Sequence, residues 1–181
     1  MAIVALMWGL EAINSLDSNQ LDGDGIYARN VGRLWGIFSA PFLHVSFQHL
    51  ISNTVPLLFM GLLIALLGAA RLALVTVIVI VVGGFGTWLI APSNSVTVGA
   101  SGLVFGYAAY LLTRGFFDRS VLELATGAVV GVVWGGALLS SVVPHYGVSW
   151  QGHVCGAIGG VVAAYALRRD RPRDAAAVAK T

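Results

Sequence analysis

The stretch VGASGL, residues 98–103, places a serine at the start of a strongly apolar segment. Further along the chain, Gly152-His153 opens a second apolar segment in the same way. Polar groups inside hydrocarbon are costly unless they find partners or face water, so a serine and a histidine in such segments indicate a functional site. A histidine that takes the proton of a serine hydroxyl is also the minimum arrangement for an activated nucleophile. The pair therefore predicts serine hydrolase chemistry at Ser101 and His153.

The composition indicates a chain that is solvated mainly by lipid. Of its 181 residues, 57% are hydrophobic and only 10% are charged, whereas a typical soluble domain has about 25% charged residues. A helix that crosses a bilayer needs about 20 apolar residues. Six charge-poor segments approach or exceed this length: 2–16, 47–70, 72–91, 98–113, 121–143 and 150–167.

These segments predict an all-α polytopic membrane protein, a single domain over residues 1–181 with six transmembrane helices. No room remains for a separate soluble domain, and residues 168–181 form a basic tail. The first segment is short and contains Glu11 and Asn14. A cleaved signal peptide is the alternative for it, but the segment lacks a basic n-region and an A-x-A-like site.

Positive charge concentrates on one side of the predicted bundle. If the N-terminus is cytoplasmic, the cytoplasmic segments contain Arg71, Arg114, Arg119, Arg168, Arg169, Arg171, Arg173 and Lys180, and the opposite side contains Arg29 and Arg33. This is the positive-inside pattern, so we expect both termini in the cytoplasm and a location in the plasma membrane. We expect the basic cluster at 168–173 to contact anionic membrane lipid and not nucleic acid.

Glycines recur at four-residue intervals on three predicted helices. The three stripes are Gly102/Gly106, Gly152/Gly156/Gly160 and Gly127/Gly131/Gly135. Faces of small residues allow membrane helices to approach closely. If the first two stripes meet, the tops of their helices are held together, and Ser101 Oγ and His153 are expected within hydrogen-bonding reach.

Three hydrogen-bond donors are candidates for stabilising the oxyanion of an acyl-transfer reaction. His49 and Asn53 are four residues apart and share one helix face, while the backbone N–H of Ser101 is unpaired at a helix N-terminus. One such donor contributes roughly 2.7–4 kcal/mol to catalysis. The alternative for Asn53 is a structural role as a helix cap or an interhelical hydrogen bond.

A metal site is the other interpretation of His44 and His49. The chain has no His-Glu-x-x-His motif and no carboxylate near these histidines. We therefore expect no metal and no other cofactor.

Three motifs resemble those of the rhomboid family of intramembrane serine proteases. HVSFQHLISN, residues 44–53, is similar to the family's H-x4-H-x3-N signature, and GASG, residues 99–102, resembles its G-x-S-G motif. GHVCGAIGG, residues 152–160, resembles its G-H-x-x-G-x-x-x-G helix. The resemblance covers nearly the whole chain. It implies a rhomboid-like bundle in which Ser101 is the nucleophile and His153 the general base.

The resemblance also implies supporting roles around this pair. His49, Asn53 and Ser101 would form the oxyanion hole, and His44 would shape the adjacent loop. The remaining supporting residues are Gly99, Gly102, Phe105 and Gly156.

The chain departs from the family pattern at three places. Phe105 stands where many members have a tyrosine stacked on the base, which keeps the ring and loses the hydroxyl. Trp35 is followed by Gly36, where many members have Trp-Arg, and the acidic residue common after the second helix is missing around Ala65. None of these departures removes a catalytic atom.

The predicted function is that of an intramembrane serine endopeptidase that cleaves transmembrane segments of other membrane proteins. A helical substrate shields its own carbonyls and has to unwind locally before it is cut. We expect access between the second and fifth helices, with residues 144–149 as a lid and His145 and Trp150 as lid or interface residues. Two alternatives remain: a catalytically silent rhomboid-like protein that binds transmembrane helices, and a small transporter or scaffold.

Overall fold

The computed structural model describes residues 2–144 and 147–169 of the chain. Its helices are α1 (Ala2–Leu16), a short α2 (Gly36–Ser39), α3 (Phe47–Ala65), α4 (Ala69–Ile90), α5 (Ser101–Asp118), α6 (Val121–Val142) and α7 (Trp150–Ala166). Two-residue strands, β1 (Ile26–Tyr27) and β2 (Val96–Thr97), pair antiparallel with Ile26 opposite Thr97. The architecture is the predicted all-α one.

Three helices, α3, α4 and α6, are long and apolar enough to cross a bilayer by themselves. Of the other long helices, α1 has 15 residues and α7 has 17, and α5 contains Arg114 and Asp118. The chain is therefore a multi-pass α-helical membrane protein. Six spanning helices remain the sequence-based prediction.

Several predicted helix boundaries were wrong. The helix predicted at 47–70 ends at Ala65, and the helix predicted at 72–91 begins earlier, at Ala69. The chain turns between them at Gly68, which has a φ of 117°. The segment predicted at 98–113 instead forms α5. It starts later because Gly99 has a φ of 116°, outside the helical region.

The α5 helix also extends past Arg114, the residue whose charge was expected to end it. Arg114 is buried and forms ion pairs with Glu123 on α6 and with Asp118, the latter at 3.7 Å. A buried charge that is paired in this way does not require the helix to stop at the membrane surface. The connection to α6 is thereby shortened to two residues.

The central helix is α5, which packs against α3, α4, α6 and α7. Its side chains Tyr107, Tyr110 and Leu111 lie in the main apolar core. The buried Tyr107 hydroxyl is 2.6 Å from Thr76 Oγ1 on α4, so its polar atom is satisfied inside the bundle. The residues that surround α5 are therefore positioned by this helix.

The two glycine stripes on α5 and α7 face each other, which was the condition considered from their spacing. A Cβ atom built on Gly156 would overlap the carbonyl oxygen of Gly102, and one built on Gly160 would overlap that of Gly106. On its other side α7 abuts α4, where a Cβ on Gly83 would lie 3.0 Å from Gly156 Cα. The α7 backbone is thus wedged between α4 and α5, and only glycine fits at Gly156.

By contrast, α6 packs along only part of its length. Residues 121–130, here called the anchored half, contain the buried Glu123, Gly127 and Val130, and a Cβ on Gly127 would lie 2.7 Å from the Leu111 carbonyl oxygen of α5. Residues 131–142, here called the free half, contain no buried residue. A Cβ on Gly135 would meet nothing within 4 Å. The third glycine stripe is therefore a packing face only in its first part.

The polar connection between α1 and α3 folds back onto the bundle. Asn14 at the end of α1 accepts the Leu21 N–H at 2.9 Å and donates to Asp22 at 2.8 Å. Farther along, Arg33 pairs with Asp24 at 3.0 Å. The turn at residues 21–25 is thereby held to the end of α1 and to Arg33 of the same connection.

The absence of a Trp-Arg pair after Trp35 has a local explanation. Arg33 lies over the ring of Trp35 at 5.1 Å and over that of Tyr27 at 4.3 Å. Gly36 touches the backbone of Gly25 so closely that a Cβ would overlap its carbonyl oxygen. Arg33 anchors this loop from the preceding turn, where a cation over aromatic faces is favourable.

Candidate active site

A cavity of about 820 Å³ opens between α3, the free half of α6 and the segment that precedes α5. Ser101, His153, His49 and Asn53 all line this cavity, together with Phe105. These are the residues predicted from the sequence to carry the chemistry. The structure brings them together from three helices.

Ser101 is the first residue of α5, and the two residues before it are held by hydrogen bonds from their backbone N–H groups. The Gly99 N–H donates to the Ala40 carbonyl at 2.9 Å, and the Ala100 N–H donates to His44 Nε2 at 3.3 Å. Among the hydrogen bonds of the described residues, none uses the backbone N–H of Ser101. This donor remains free because first-turn N–H groups of a helix have no intrahelical acceptor.

Two side-chain donors lie close to the same point. A Cβ atom built on Gly99 would be 2.9 Å from His49 Nε2 and 3.7 Å from Asn53 Nδ2. The positive φ and this close approach both require glycine at position 99. His49 and Asn53 therefore converge on the backbone that immediately precedes Ser101.

Asn53 Nδ2 is buried and has no hydrogen-bond partner among the described residues. A buried donor that is left unpaired costs about 1–3 kcal/mol, so it needs a reason to persist. The capping role is taken by Ser46, whose Oγ accepts the His49 N–H at 3.2 Å at the start of α3. Among the described residues, Asn53 therefore makes neither the helix-capping hydrogen bond nor the interhelical hydrogen bond that a structural role would require.

His44 lies in the loop before α3 and is completely buried. Its ring meets that of His49 edge to face at 5.0 Å. Burial, and secondarily the neighbouring His49, lower the pKa of His44 to about 4. The residue is therefore neutral at pH 7, as it must be for Nε2 to accept the Ala100 N–H. His44 shapes the loop ahead of Ser101 and does not line the cavity.

His153 is held by two contacts from different helices. Its ring stacks on Phe105 of α5 with a centroid separation of 4.3 Å and an interplanar angle of 7°. Its Nδ1 is 2.7 Å from the carbonyl oxygen of Ser141 on α6. Because a carbonyl oxygen only accepts, Nδ1 carries the proton, and Nε2 of the neutral ring is left as a proton acceptor.

No hydrogen bond joins Ser101 Oγ to His153 in the described structure, although direct reach was expected from the glycine stripes. The helix tops do meet, since a Cβ on Gly102 would lie 3.4 Å from the Gly152 carbonyl oxygen. The ring orientation is set instead by Phe105 and by the Ser141 carbonyl. Catalytic hydrogen bonds are often long in the absence of substrate and tighten when it binds.

The backbone contribution of Ser141 and the cap of α7 were not predicted from the sequence. Ser149 Oγ accepts the Gly152 N–H at 3.3 Å and lies 3.4 Å from Thr97 Oγ1, which links α7 to the edge of the cavity. A backbone carbonyl cannot be recognised from the type of its residue. Pro144 could have indicated it, because a proline marks the end of a helix, where the last carbonyls have no partner within the helix. Of the predicted lid residues, Trp150 lines the cavity, and His145 lies outside the described residues.

No group of three or more His, Cys, Asp or Glu side chains suited to a metal ion occurs within residues 2–144 and 147–169. Among the polar side chains of the cavity are the Ser101 hydroxyl, the His153 ring, and His49 and Asn53 as candidate donors. Such a set is suited to acyl transfer, in which a nucleophile, a base and donors for an oxyanion act together.

The fold and this cavity define a multi-pass membrane protein with a polar site inside its helical bundle. Residues 31–170 match the model of the Rhomboid domain. The chain belongs to the rhomboid family.

Several relatives match most of the chain. An uncharacterised protein of Mycobacterium tuberculosis is 44% identical over 176 residues, which cover 92% of this chain and 73% of the relative. An uncharacterised protein of Mycobacterium leprae is 46% identical over 176 residues, covering 92% of this chain and 69% of the relative. The rhomboid protease GluP of Bacillus subtilis is 28% identical over 140 residues, or 75% of this chain and 26% of GluP.

Proposed function

We propose that this protein is an intramembrane serine endopeptidase with Ser101 as nucleophile and His153 as general base. The observation that carries the proposal is the convergence of unpaired donors beside Ser101, in the same cavity as a histidine whose Nε2 is free to accept a proton. Membership of the rhomboid family and the similarity to a relative named as a rhomboid protease support it.

In the proposed reaction His153 Nε2 removes the proton of Ser101 Oγ as the oxygen attacks the substrate carbonyl carbon. The resulting oxyanion accepts hydrogen bonds from the Ser101 N–H, His49 and Asn53. The imidazolium then gives its proton to the leaving amine, and the peptide bond breaks. Water, deprotonated by the same ring, releases the acyl group and regenerates the Ser101 hydroxyl.

The proposed substrates are transmembrane segments of other membrane proteins. Their carbonyls are hydrogen-bonded within a helix, so the scissile region has to unwind in the cavity, where water and the polar side chains replace the lost bonds. The proposed route for the substrate runs between α3 and the free half of α6. Phe59 and Trp134 are in contact there, with a centroid separation of 6.5 Å, and would have to part. We place the cavity on the side opposite the basic residues, which would face the cytoplasm.

One observation favours the catalytically silent alternative. Ser101 and His153 share the cavity without a hydrogen bond between them in the described structure. A silent member would bind transmembrane helices in the same opening and leave them intact.

Reconstitution into liposomes with a panel of membrane-anchored reporter helices tests the proposal. The panel should vary helix-breaking and small residues near the expected cut, and mass spectrometry of the products identifies new termini. We expect cleavage by the parent protein, none by Ser101→Ala, and normal cleavage by Ser140→Ala, because Ser140 is exposed and does not line the cavity. Binding of the reporters without any new terminus would favour the silent alternative.

A further inference from the structure

The end of α6 brings the free half of this helix into contact with the proposed base, His153. The helix ends at Val142 because Val143 precedes Pro144 and is extended, with a ψ of 128°; a residue before proline disfavours the helical conformation. The last-turn carbonyls of α6 therefore have no partner within the helix. That of Ser141 is used by His153 Nδ1 at 2.7 Å.

We propose that the free half of α6 positions the base, so that His153 has its proton on Nδ1 only while this half lies closed against the cavity. The proposal deepens the function given above and rests on it for its catalytic consequence. The Ser141 backbone carbonyl is a positioning group, since it touches the base and neither the substrate nor Ser101.

The packing of α6 allows its free half to move away from His153 while the other residues of the site stay in place. The anchored half is held by the Arg114–Glu123 ion pair and by the close approach of Gly127 to Leu111. The free half has no fully buried residue, and it meets the core through the partly buried Trp134 and Leu138. Its outward displacement therefore breaks fewer contacts than displacement of the anchored half would. The Ser101 and His153 backbones would stay in place during this motion, because α5 and α7 meet through glycine backbones.

Loss of the hydrogen bond to the Ser141 carbonyl changes which nitrogen of the His153 ring carries the proton. No other acceptor contacts His153 Nδ1 among the described residues. Without an acceptor the neutral imidazole is free to carry its proton on Nε2, where it is unable to accept the Ser101 proton. The opening that admits a substrate helix thus disables the base, and closure of α6 behind the substrate restores it.

A single-atom change in the backbone tests this positioning role in the full-length protein. Replacing Val142 by its α-hydroxy analogue turns the Ser141–Val142 peptide into an ester, whose carbonyl is a weaker acceptor. The matched control places the ester one residue earlier, at Ser141, where it weakens the Ser140 carbonyl. Each variant loses one helical N–H, so their difference isolates the carbonyl that faces His153.

The primary measurement is ¹⁵N NMR of histidine-labelled protein in lipid nanodiscs at neutral pH, which distinguishes a protonated ring nitrogen from a bare one. His153 signals are assigned by their loss in His153→Gln. We expect a protonated Nδ1 in the parent protein and in the control ester, and a mixture of both tautomers in the Val142 ester. Labelling of Ser101 by a fluorophosphonate should be about 2- to 10-fold slower in the Val142 ester, the range expected from one weakened hydrogen bond.

A second variant covers the case in which the ester disturbs folding. Pro144→Ala removes the proline that follows α6 and permits the helix to continue, so that a helical N–H competes for the Ser141 carbonyl. It should shift the tautomer in the same direction. An unchanged Nδ1–H tautomer in both the Val142 ester and Pro144→Ala would overturn the positioning role.

These results separate the inference from the proposed function. If the parent protein is not labelled but its tautomer responds to the ester, the proposed function fails and the contact with α6 stands. If labelling is normal and the tautomer is insensitive to both changes, the function stands and the positioning role is overturned.

Discussion

The α5–α7 interface and the free half of α6 have the same glycine spacing and use it in opposite ways. At the first, glycine backbones touch, so that no side chain fits at Gly156 or Gly160. At the second, Gly135 faces open space. A four-residue glycine repeat therefore permits close packing between membrane helices, but a partner with a matching face decides whether it occurs.

The difference divides the site into a rigid part and a part that is able to move. Ser101 and His153 stand on the two helices that are in backbone contact, and their spacing depends on that contact. The Ser141 carbonyl belongs to the loosely packed helix. A cavity that has to admit a substrate and then align a base benefits from this division, because only one element needs to move.

The largest expected effect comes from placing the same substitution in both regions. Gly156→Ala puts a Cβ against the Gly102 carbonyl, between two backbones in contact, and should lower the free energy of unfolding by about 3 kcal/mol, the upper end of the range for overpacking. Gly135→Ala meets no atom and should raise it by up to about 1 kcal/mol, the helix preference of alanine over glycine. Thermal unfolding in detergent micelles measures both. Equal effects at the two positions would refute the division into rigid and loose regions.

Acid should lower the stability of the folded protein through His44, which bonds the backbone just ahead of α5. The pKa of His44 in the folded protein is about 4, below the ordinary 6.5, so the unfolded chain takes up a proton first as the pH falls. The free energy of unfolding should therefore decrease between pH 6.5 and pH 4, by up to about 3 kcal/mol from this group.

The control for this prediction is His44→Gln, which retains a hydrogen-bond acceptor and has no proton to gain. Its free energy of unfolding should depend less on pH over the same range. If the parent and His44→Gln lose stability in parallel, the acid sensitivity arises elsewhere.

Amide hydrogen exchange should separate the two halves of α6. The free half has no fully buried residue, so its amides should exchange at least about tenfold faster than those of the anchored half at matched intrinsic rates. The amides of α5 and α7 at their glycine contacts should be the slowest of all. Uniform protection along residues 121–142, measured by mass spectrometry in nanodiscs, would show that the helix moves as one body.

The smallest effect is expected at the ring that supports the base. Phe105→Leu removes the stack on His153 and should slow fluorophosphonate labelling by about 2- to 10-fold, since aromatic pairs contribute about 0.5–1.5 kcal/mol beyond burial. Phe105→Tyr keeps the ring and should stay within about twofold of the parent. A strong loss in Phe105→Tyr together with a mild one in Phe105→Leu would contradict a role for stacking.

The sequence predicted the features that depend on spacing and polarity. The helix at 2–16 and the family followed from residues whose pattern has few alternatives. The grouping of His49, Asn53, Ser101 and His153 around one cavity agrees with the prediction made from the motifs. Their catalytic roles remain proposals.

Features that depend on tertiary partners were not predicted. Arg114 does not end its helix because Glu123 is there to pair with it, and no local pattern shows that pairing. Arg33 replaces the expected Trp-Arg anchor from an earlier position. The Ser141 carbonyl is backbone and carries no residue signature, although Pro144 indicated that α6 would end with unpaired carbonyls.

The most direct test of the central claim, an activated serine in this cavity, is fluorophosphonate labelling of the full-length protein followed by peptide mapping. It requires no knowledge of the substrate, and a rhomboid of known activity serves as the positive control. We expect one modified residue, Ser101, with labelling absent in Ser101→Ala and reduced to background in His153→Ala. Folded protein that remains unlabelled beside a labelled control, or labelling that persists in His153→Ala, would contradict the account.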